Sequence, residues 1–313
     1  MKHLLRIFKV SVYDIYRYWR YSGVANKGRH HASKAALITK YYHMIEKGLA
    51  LPAPRPGFGQ DAIRKLCDLV STSLADGSCP AETILAIDAI AGYKAFNDSQ
   101  GAPNPTWIEA LLEQARVKNI SASAEPTKLT SRLGEDDGES HLSFLLHRSS
   151  ARKFSEGDVS DAILENAARA AQSAPCVCNR QAGRLHFLRR EEDMSAALAL
   201  QNGNRGFGAD ASVVAIVTID LAEFLEVSER YQCWIDGGMF AQNFLLGLHA
   251  QGVGACPLNW SVHVGRDRAL RRLGYIPASE QVLMMVAIGH VDDEYKVARS
   301  HRRPTASIAR THR

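Results

Sequence analysis

Arg148, Ser149, Ser150 and Arg152 place two guanidinium groups and two hydroxyls within five residues of the run HRSSARKF. A guanidinium offers a planar fork of donors and a serine a short hydroxyl, so the set has the composition of a phosphate-holding cluster. A basic run alone is more often a solvated face, and its meaning depends on what accompanies it. A helical pattern ends at SAPCVCNRQ (173–181), a turn of small residues around Pro175 with Cys176, Val177 and Cys178, followed by Asn179 and Gln181. Further on, QNGNRGFG (201–208), which contains Asn204, feeds a β-branched strand. An apolar helix expected over about 235–250 stops at Gly252 and Gly254 and delivers Cys256, Pro257, Leu258, Asn259 and Trp260. A tail carrying Arg299, Ser300, Arg302 and Arg303 closes this half.

The elements that must position these groups are a helix over DAILENAARAAQSA (161–174) and strands near 185–189, 213–220 and 282–289, separated by helices. Before them the pattern predicts helices over about 32–47, 60–74, 81–96 and 105–117. LALPAPRPGFG (49–59) reads as an ordered loop, and the polar, turn-rich stretch ending in GEDDGE reads as a linker. The expected organisation is a basic, mainly helical region 1–118, a linker 119–141 and a domain 142–313. At 313 residues, 46% hydrophobic and 23% charged, the chain has ample material for buried cores and is neither disordered nor collagen-like.

The net charge of +5 is unevenly placed. Residues 1–66 hold 13 Lys and Arg against 3 Asp and Glu, whereas 67–140 hold 5 against 12. Between Met1 and Tyr21, Leu4, Leu5, Phe8, Val12, Ile15, Tyr16 and Trp19 fall on one helical arc, with Lys2, Arg6, Lys9, Arg17 and Arg20 opposite. Two readings stay open: packing against the protein itself or a partner subunit, or reversible contact of residues 1–22 with an anionic membrane surface. No uninterrupted apolar run suggests a spanning segment or signal peptide, and the expected location is cytoplasmic, with the inner membrane face as a peripheral site.

The six cysteines form no paired ligand set, which argues against a disulfide framework or structural zinc and fits a reducing compartment. His30 and His31 are adjacent and diverge by about 100° on a helix, so no metal is expected. The basic region lacks a helix-turn-helix, zinc-finger or aromatic RNA-binding signature, and nucleic acid is not an expected partner.

The order of these motifs, over about 142–304, resembles the nitroreductase family of FMN-dependent oxidoreductases. The resemblance rests on RSSAR (148–152), APCVCNRQ (174–181), GVGACPLNW (252–260) and SHR (300–302), with Asn204 between them. It implies an α+β fold with a mixed, mostly antiparallel sheet flanked by helices, a homodimer, and FMN at the dimer interface. Arg148, Ser149, Ser150, Ser300 and Arg302 would gather about the FMN phosphate. Arg152 would stand near the pyrimidine edge, where a cation favours the reduced flavin. Asn204 would meet the pyrimidine rim, and Pro257, Leu258 and Asn259 would bring the Asn259 amide to flavin N5. The turn bearing Pro175, Cys176, Val177, Asn179 and Gln181 would reach the partner's cofactor. The implied reaction is ping-pong hydride transfer from NAD(P)H to a small organic acceptor of the nitroaromatic, quinone or enone type.

Three departures from the pattern stand out. A family lysine falls on Phe207, the usual Ser after the turn proline is Cys176, and Ala182–Gly183 replaces Pro-Trp. Cys176 and Cys178 admit a redox-thiol reading, set against the plainer one of small apolar side chains. The N-terminal HMIEKGL and RPGFG segments are similar to extensions of nitroreductase-like proteins associated with surface polysaccharides, which points to a cell-envelope pathway. The competing expectation is a non-catalytic or regulatory flavin-binding protein that docks a partner through its N-terminal region.

Overall fold

A computed structural model describes residues 2–26, 31–51, 53–78, 80–120, 122–123, 125–126, 138–295, 297–298 and 304–312. Four strands, β1 (Gly183–Leu188), β2 (Val213–Asp220), β3 (Gly254–Asn259) and β4 (Glu280–Gly289), form one sheet in the order β1-β2-β4-β3. Every neighbouring pair is antiparallel. β2 is a continuous apolar run because both of its faces are covered, and all of it from Val213 to Ile219 is buried.

On one face lie α8 (Asp161–Gln172) and α10 (Gln232–His249), sharing a core with Val213, Ala215, Val217, Val286 and Ile288. The Ser160 hydroxyl caps α8 by accepting from the Ile163 amide. At Gly247 of α10 a Cβ would stand 2.7 Å from Ala170 Cβ and 2.9 Å from Ala167 Cα, so only glycine lets these two helices approach so closely. The other face is covered by α9 (Glu191–Leu198) and α11 (Val264–Arg272), through Ala197, Leu198 and Leu270. The fold is thus α+β, a helix–sheet–helix sandwich. The residues after Gly252, for which the sequence pattern predicts no strand, form strand β3. Pro257 is tolerated there because β3 is the edge strand of the sheet.

The N-terminal helices α3 (His31–Leu49), α4 (Gln60–Asp76), α5 (Pro80–Ser99) and α6 (Thr106–Val117) make a bundle with its own core. Ile38, Ile45, Ile63, Leu66, Ile87, Ile90, Tyr93 and Ile108 are fully buried there. Helices α1 (Lys2–Tyr21) and α2 (Gly23–Asn26) leave the bundle and lie on the sandwich. Tyr13 donates to Asp267 at 2.7 Å, and buried Arg17 donates to the carbonyls of Ala278 and Glu280 at 2.9 and 2.7 Å. The Gly23 amide donates to the Phe224 carbonyl at 2.7 Å, and Ser33 of α3 donates to the Ala222 carbonyl at 2.9 Å. Helix α7 (Gly138–His147) begins in the stretch read as linker and leads into the arginine cluster.

Candidate functional site

The segment from Arg148 to Arg152 runs beside the first residues of β3. The Ala151 amide donates to the Ala255 carbonyl at 3.1 Å, and the Ser155 amide to the His290 carbonyl at 2.8 Å. Gly254 permits this approach, since a Cβ there would meet Val291 Cγ1 at 2.3 Å and Ala151 Cβ at 3.0 Å. Arg148, Ser149 and Ser150 are half-buried and Arg152 is exposed. None of the four has a hydrogen bond or ion pair with the described residues, whereas Arg180, Arg184, Arg189, Arg190 and Arg271 are all in ion pairs. The two free charges act on their surroundings. Burial pushes the Cys256 thiol up while Arg152 and Arg148 oppose that rise, and burial together with Arg148 holds the His249 imidazole below its usual value.

From Ala255 the strand carries the chain four residues to Asn259, about 13 Å at 3.3 Å per residue. Alternation puts Ala255, Pro257 and Asn259 on one face, while Cys256 and Leu258 enter the core under α9 and α11. Asn259 is exposed, and its backbone is held by Gln201, whose Nε2 donates to the Asn259 carbonyl at 3.0 Å. The same Gln201 accepts through Oε1 from the Gly203 amide and from Asn204 Nδ2. Asn204 Nδ2 also donates to the Leu198 carbonyl at 2.8 Å, so its amide nitrogen is committed to the loop and its Oδ1 remains to accept. Phe207 is buried against Phe154, with ring centroids 6.5 Å apart, so no charge stands at that position, and neighbouring Arg205 is exposed. Gln201 is a residue the sequence reading missed; its place in a Gly/Asn-rich run was the available signal.

The turn from Pro175 to Gln181 sits at the other end of the sheet, next to Gly183 and Ile219, whereas the arginine cluster sits next to Gly254 and Gly289. One chain therefore does not bring them together. The turn is sharply bent, with Cys178, Asn179 and Gln181 at φ values of 50°, 53° and 54°. It is fixed from below: buried Arg180 forks onto Glu229 at 2.6 and 3.1 Å and donates to the Glu223 carbonyl. The Val177 amide donates to Asp236 of α10 at 3.0 Å. Arg180, Glu229 and Asp236 were not singled out from sequence. Burial pushes the Cys176 thiol up, although the Gln181 amide donates to its sulfur at 3.2 Å. That keeps the sulfur a neutral thiol rather than a nucleophilic thiolate.

Ser300 and Arg302 lie outside the described residues. Among the described residues no cluster of three His, Cys, Asp or Glu side chains could hold a metal, and no helix is long and apolar enough to cross a membrane. Beyond Asn259 a cavity of about 520 Å³ is walled by Pro257, Trp260 and Trp234 and closed by Tyr13 and Asp14 of α1.

The fold is thus an α+β sandwich in which Arg148 and Arg152, without an ion pair among the described residues, stand at one end of the edge strand β3. Residues 195–290 match the model of the nitroreductase family. The chain is 28% identical over 158 residues to a provisionally named NADH dehydrogenase/NAD(P)H nitroreductase of Archaeoglobus fulgidus, an alignment covering 50% of this chain and 88% of the relative. Similar solved structures include an FMN-dependent nitroreductase of Clostridium difficile (22% identity, 51% of this chain and 92% of that one, TM-score 0.43). Another is a provisionally named nitroreductase of Desulfovibrio desulfuricans in complex with FMN (23% identity, 55% and 96%, TM-score 0.47).

Proposed function

We propose that the chain is an FMN-dependent NAD(P)H oxidoreductase that passes a hydride to a small organic acceptor of the nitroaromatic, quinone or enone type. The observation that carries this reading is the set Arg148, Ser149, Ser150 and Arg152, without partners among the described residues, at one end of β3, with Asn259 presented about 13 Å along the same strand. Those residues suit a ligand with a phosphate at one end and a ring at the other: unneutralised cations and free hydroxyls for the phosphate, an exposed edge strand for the ring. When bound, FMN would supply hydride acceptance and donation at N5. Arg148, Ser149 and Ser150, joined by Ser300 and Arg302, would hold its phosphate. Arg152 would lend positive charge to the pyrimidine edge. Gln201 would fix the Asn259 peptide, and Asn204 would offer Oδ1 to the rim. NAD(P)H and the acceptor would visit in turn.

A homodimer belongs to the same reading. The turn bearing Pro175, Cys176, Val177, Asn179 and Gln181 stands at the opposite end of the sheet from the cluster, which supports its serving the site of a second copy. Leu142, Leu145 and Leu146 of α7 and Ile235 of α10 are left exposed, as an interface would require. The reading is tested on the purified protein, which is expected to be yellow and to release FMN, not FAD, on denaturation. Arg148→Ala and Arg302→Ala are each expected to weaken FMN about tenfold or more, since a charge-assisted hydrogen bond contributes about 1.5–3 kcal/mol. Arg152→Ala is expected chiefly to lower the flavin potential. Bound flavin that neither NADH nor NADPH reduces would instead point to a regulatory flavin protein.

A further inference from the structure

Helix α1 packs against the protein on one side only. Its inner face is held on the sandwich by Tyr13 and Arg17, while Leu5, Phe8, Val12, Ile15, Tyr16 and Trp19 are between 46% and 68% exposed. A stripe of six large apolar side chains in water marks an interaction surface rather than a packing defect. The stripe continues past a cavity of about 530 Å³, lined by Ile15, Trp19, Tyr231 and Trp234, to exposed Val227. The fixed inner face makes the helix a platform in which the apolar arc is held outward.

The border of this surface is cationic. Lys9 and Arg268 line a groove with Val12 and Tyr16, and Arg230 lines the opposite groove with Ile15 and Trp19. All three cations are exposed, and none has a hydrogen bond or ion pair with the described residues; Arg268 and Arg230 rest over the rings of Tyr13 and Tyr231. Asp14 is the sole acid in α1. We propose that this face seats the protein on an anionic lipid surface, the arc entering the headgroup–acyl boundary while Lys9, Arg230 and Arg268 meet lipid phosphates. A second copy is the poorer occupant, because a two-fold contact through this face would bring two cation-bordered surfaces of the same sign together. The Asn259 cavity, which Val10, Tyr13 and Asp14 of α1 help to line, then lies beside the membrane surface.

Flotation of the full chain with vesicles tests this, and it does not depend on flavin. The protein is expected to float with phosphatidylcholine–phosphatidylglycerol vesicles at low salt, with a blue shift of tryptophan emission, and to stay behind with phosphatidylcholine alone or at high salt. Ile15→Glu, on the exposed stripe, should abolish flotation without changing the unfolding temperature. Lys9→Ala with Arg268→Ala should lower partitioning about thirtyfold, the equivalent of about 1 kcal/mol per cation. Deleting residues 1–22 is a blunter test, since it removes the Tyr13 and Arg17 anchors with the arc. Absence of flotation on the anionic vesicles, undiminished flotation of both variants, or an Ile15→Glu chain that breaks an oligomer in vesicle-free buffer would each overturn the proposal.

Discussion

In the α3–α6 bundle Asn97 is wholly buried and both sides of its amide are used: Oδ1 accepts from the Gly57 amide and Nδ2 donates to Asn104, each at 3.0 Å. Tyr93 likewise donates to the Phe58 carbonyl and accepts from Gln60. In the sandwich, half-buried Arg148 and its two serine neighbours have no partner among the described residues. Both regions bury ample apolar surface, so the contrast is not one of stability. A buried polar group that is fully satisfied serves the fold, whereas a donor set with no partner among the described residues adds nothing to it and is what the proposed phosphate site would use. Helix α1 joins the regions by a third arrangement, with polar anchors inward and apolar side chains outward.

The harshest way to break the comparison is at the anchor of α1. Asp267 accepts from Tyr13 at 2.7 Å, Trp260 Nε1 at 3.0 Å and Arg271 Nε at 2.8 Å. Burial alone would raise its pKa, but the hydrogen bonds and charge of Arg271, with those of Trp260 and Tyr13, hold it below the usual carboxylate value. Its contribution is therefore present above the unfolded value of 3.8 and is lost as pH falls through the lower folded value. Asp267→Ala should cost about 3 kcal/mol at neutral pH in urea unfolding, because it removes a buried carboxylate with three donors and leaves the half-buried charge of Arg271 without its ion pair. A loss under about 1 kcal/mol would mean that α1 is not anchored here.

Next in size is the direct contrast between closed and open polar groups. Asn97→Ala should destabilise by about 2 kcal/mol, leaving the Gly57 amide unpaired. Arg148→Ala, with no partner to orphan among the described residues, should leave the unfolding midpoint of the ligand-free chain within about 0.5 kcal/mol of wild type. Equal losses in the two variants would erase the distinction.

Much of this arrangement was legible beforehand, for identifiable reasons. The β-branched run of β2 and the helical pattern of α8 are local signals, and the structure carries both. Strand β3 was missed because a proline in a six-residue segment hides an edge strand. The apolar arc of α1 was correctly placed on the helical wheel, but a wheel does not say which side the protein covers. Buried Arg17 binds carbonyls more than 260 residues away, a pairing no local pattern reveals. Gln201, Arg180 and Asp236 were overlooked for the same reason: Asp236 meets Val177 across 59 residues. Cluster residues, by contrast, were visible because four of them are adjacent in the chain.

A smaller effect sharpens the junction between the regions. Glu223 is buried, and that burial raises its carboxyl to about 7, although Arg184 lies 3.3 Å away and opposes the rise. A carboxyl with a raised folded value favours the fold fully below its unfolded value of 4.5 and loses that contribution as pH rises through about 7. Glu223→Gln should accordingly flatten the decline in stability over that window, read from thermal unfolding at a series of pH values. A variant whose profile parallels wild type would show that Glu223 is ionised in the folded chain throughout.

The smallest expected effect concerns the turn at the far end of the sheet. Cys176 and Cys178 lie two apart in a segment with three left-handed residues, a setting that invites a redox role. The physics of the site points the other way. Thiol chemistry runs through the thiolate, which needs a lowered pKa, and burial has pushed Cys176 up. The one amide that donates to its sulfur, from Gln181, and the nearby charge of Arg180 do not offset this, since Arg180 is already neutralised by Glu229 at 2.6 Å. The sulfur therefore fills space and accepts one hydrogen bond, and a serine hydroxyl can accept the same bond at nearly the same size. Cys176→Ser should change NAD(P)H oxidation rates less than about threefold, with a cost in stability of under about 1 kcal/mol. Wild type should respond to a thiol reductant no more than the variant does. A rate loss of a hundredfold in Cys176→Ser with flavin content preserved would restore the redox-thiol reading, and would make the turn rather than the arginine cluster the chemically active end of the sheet.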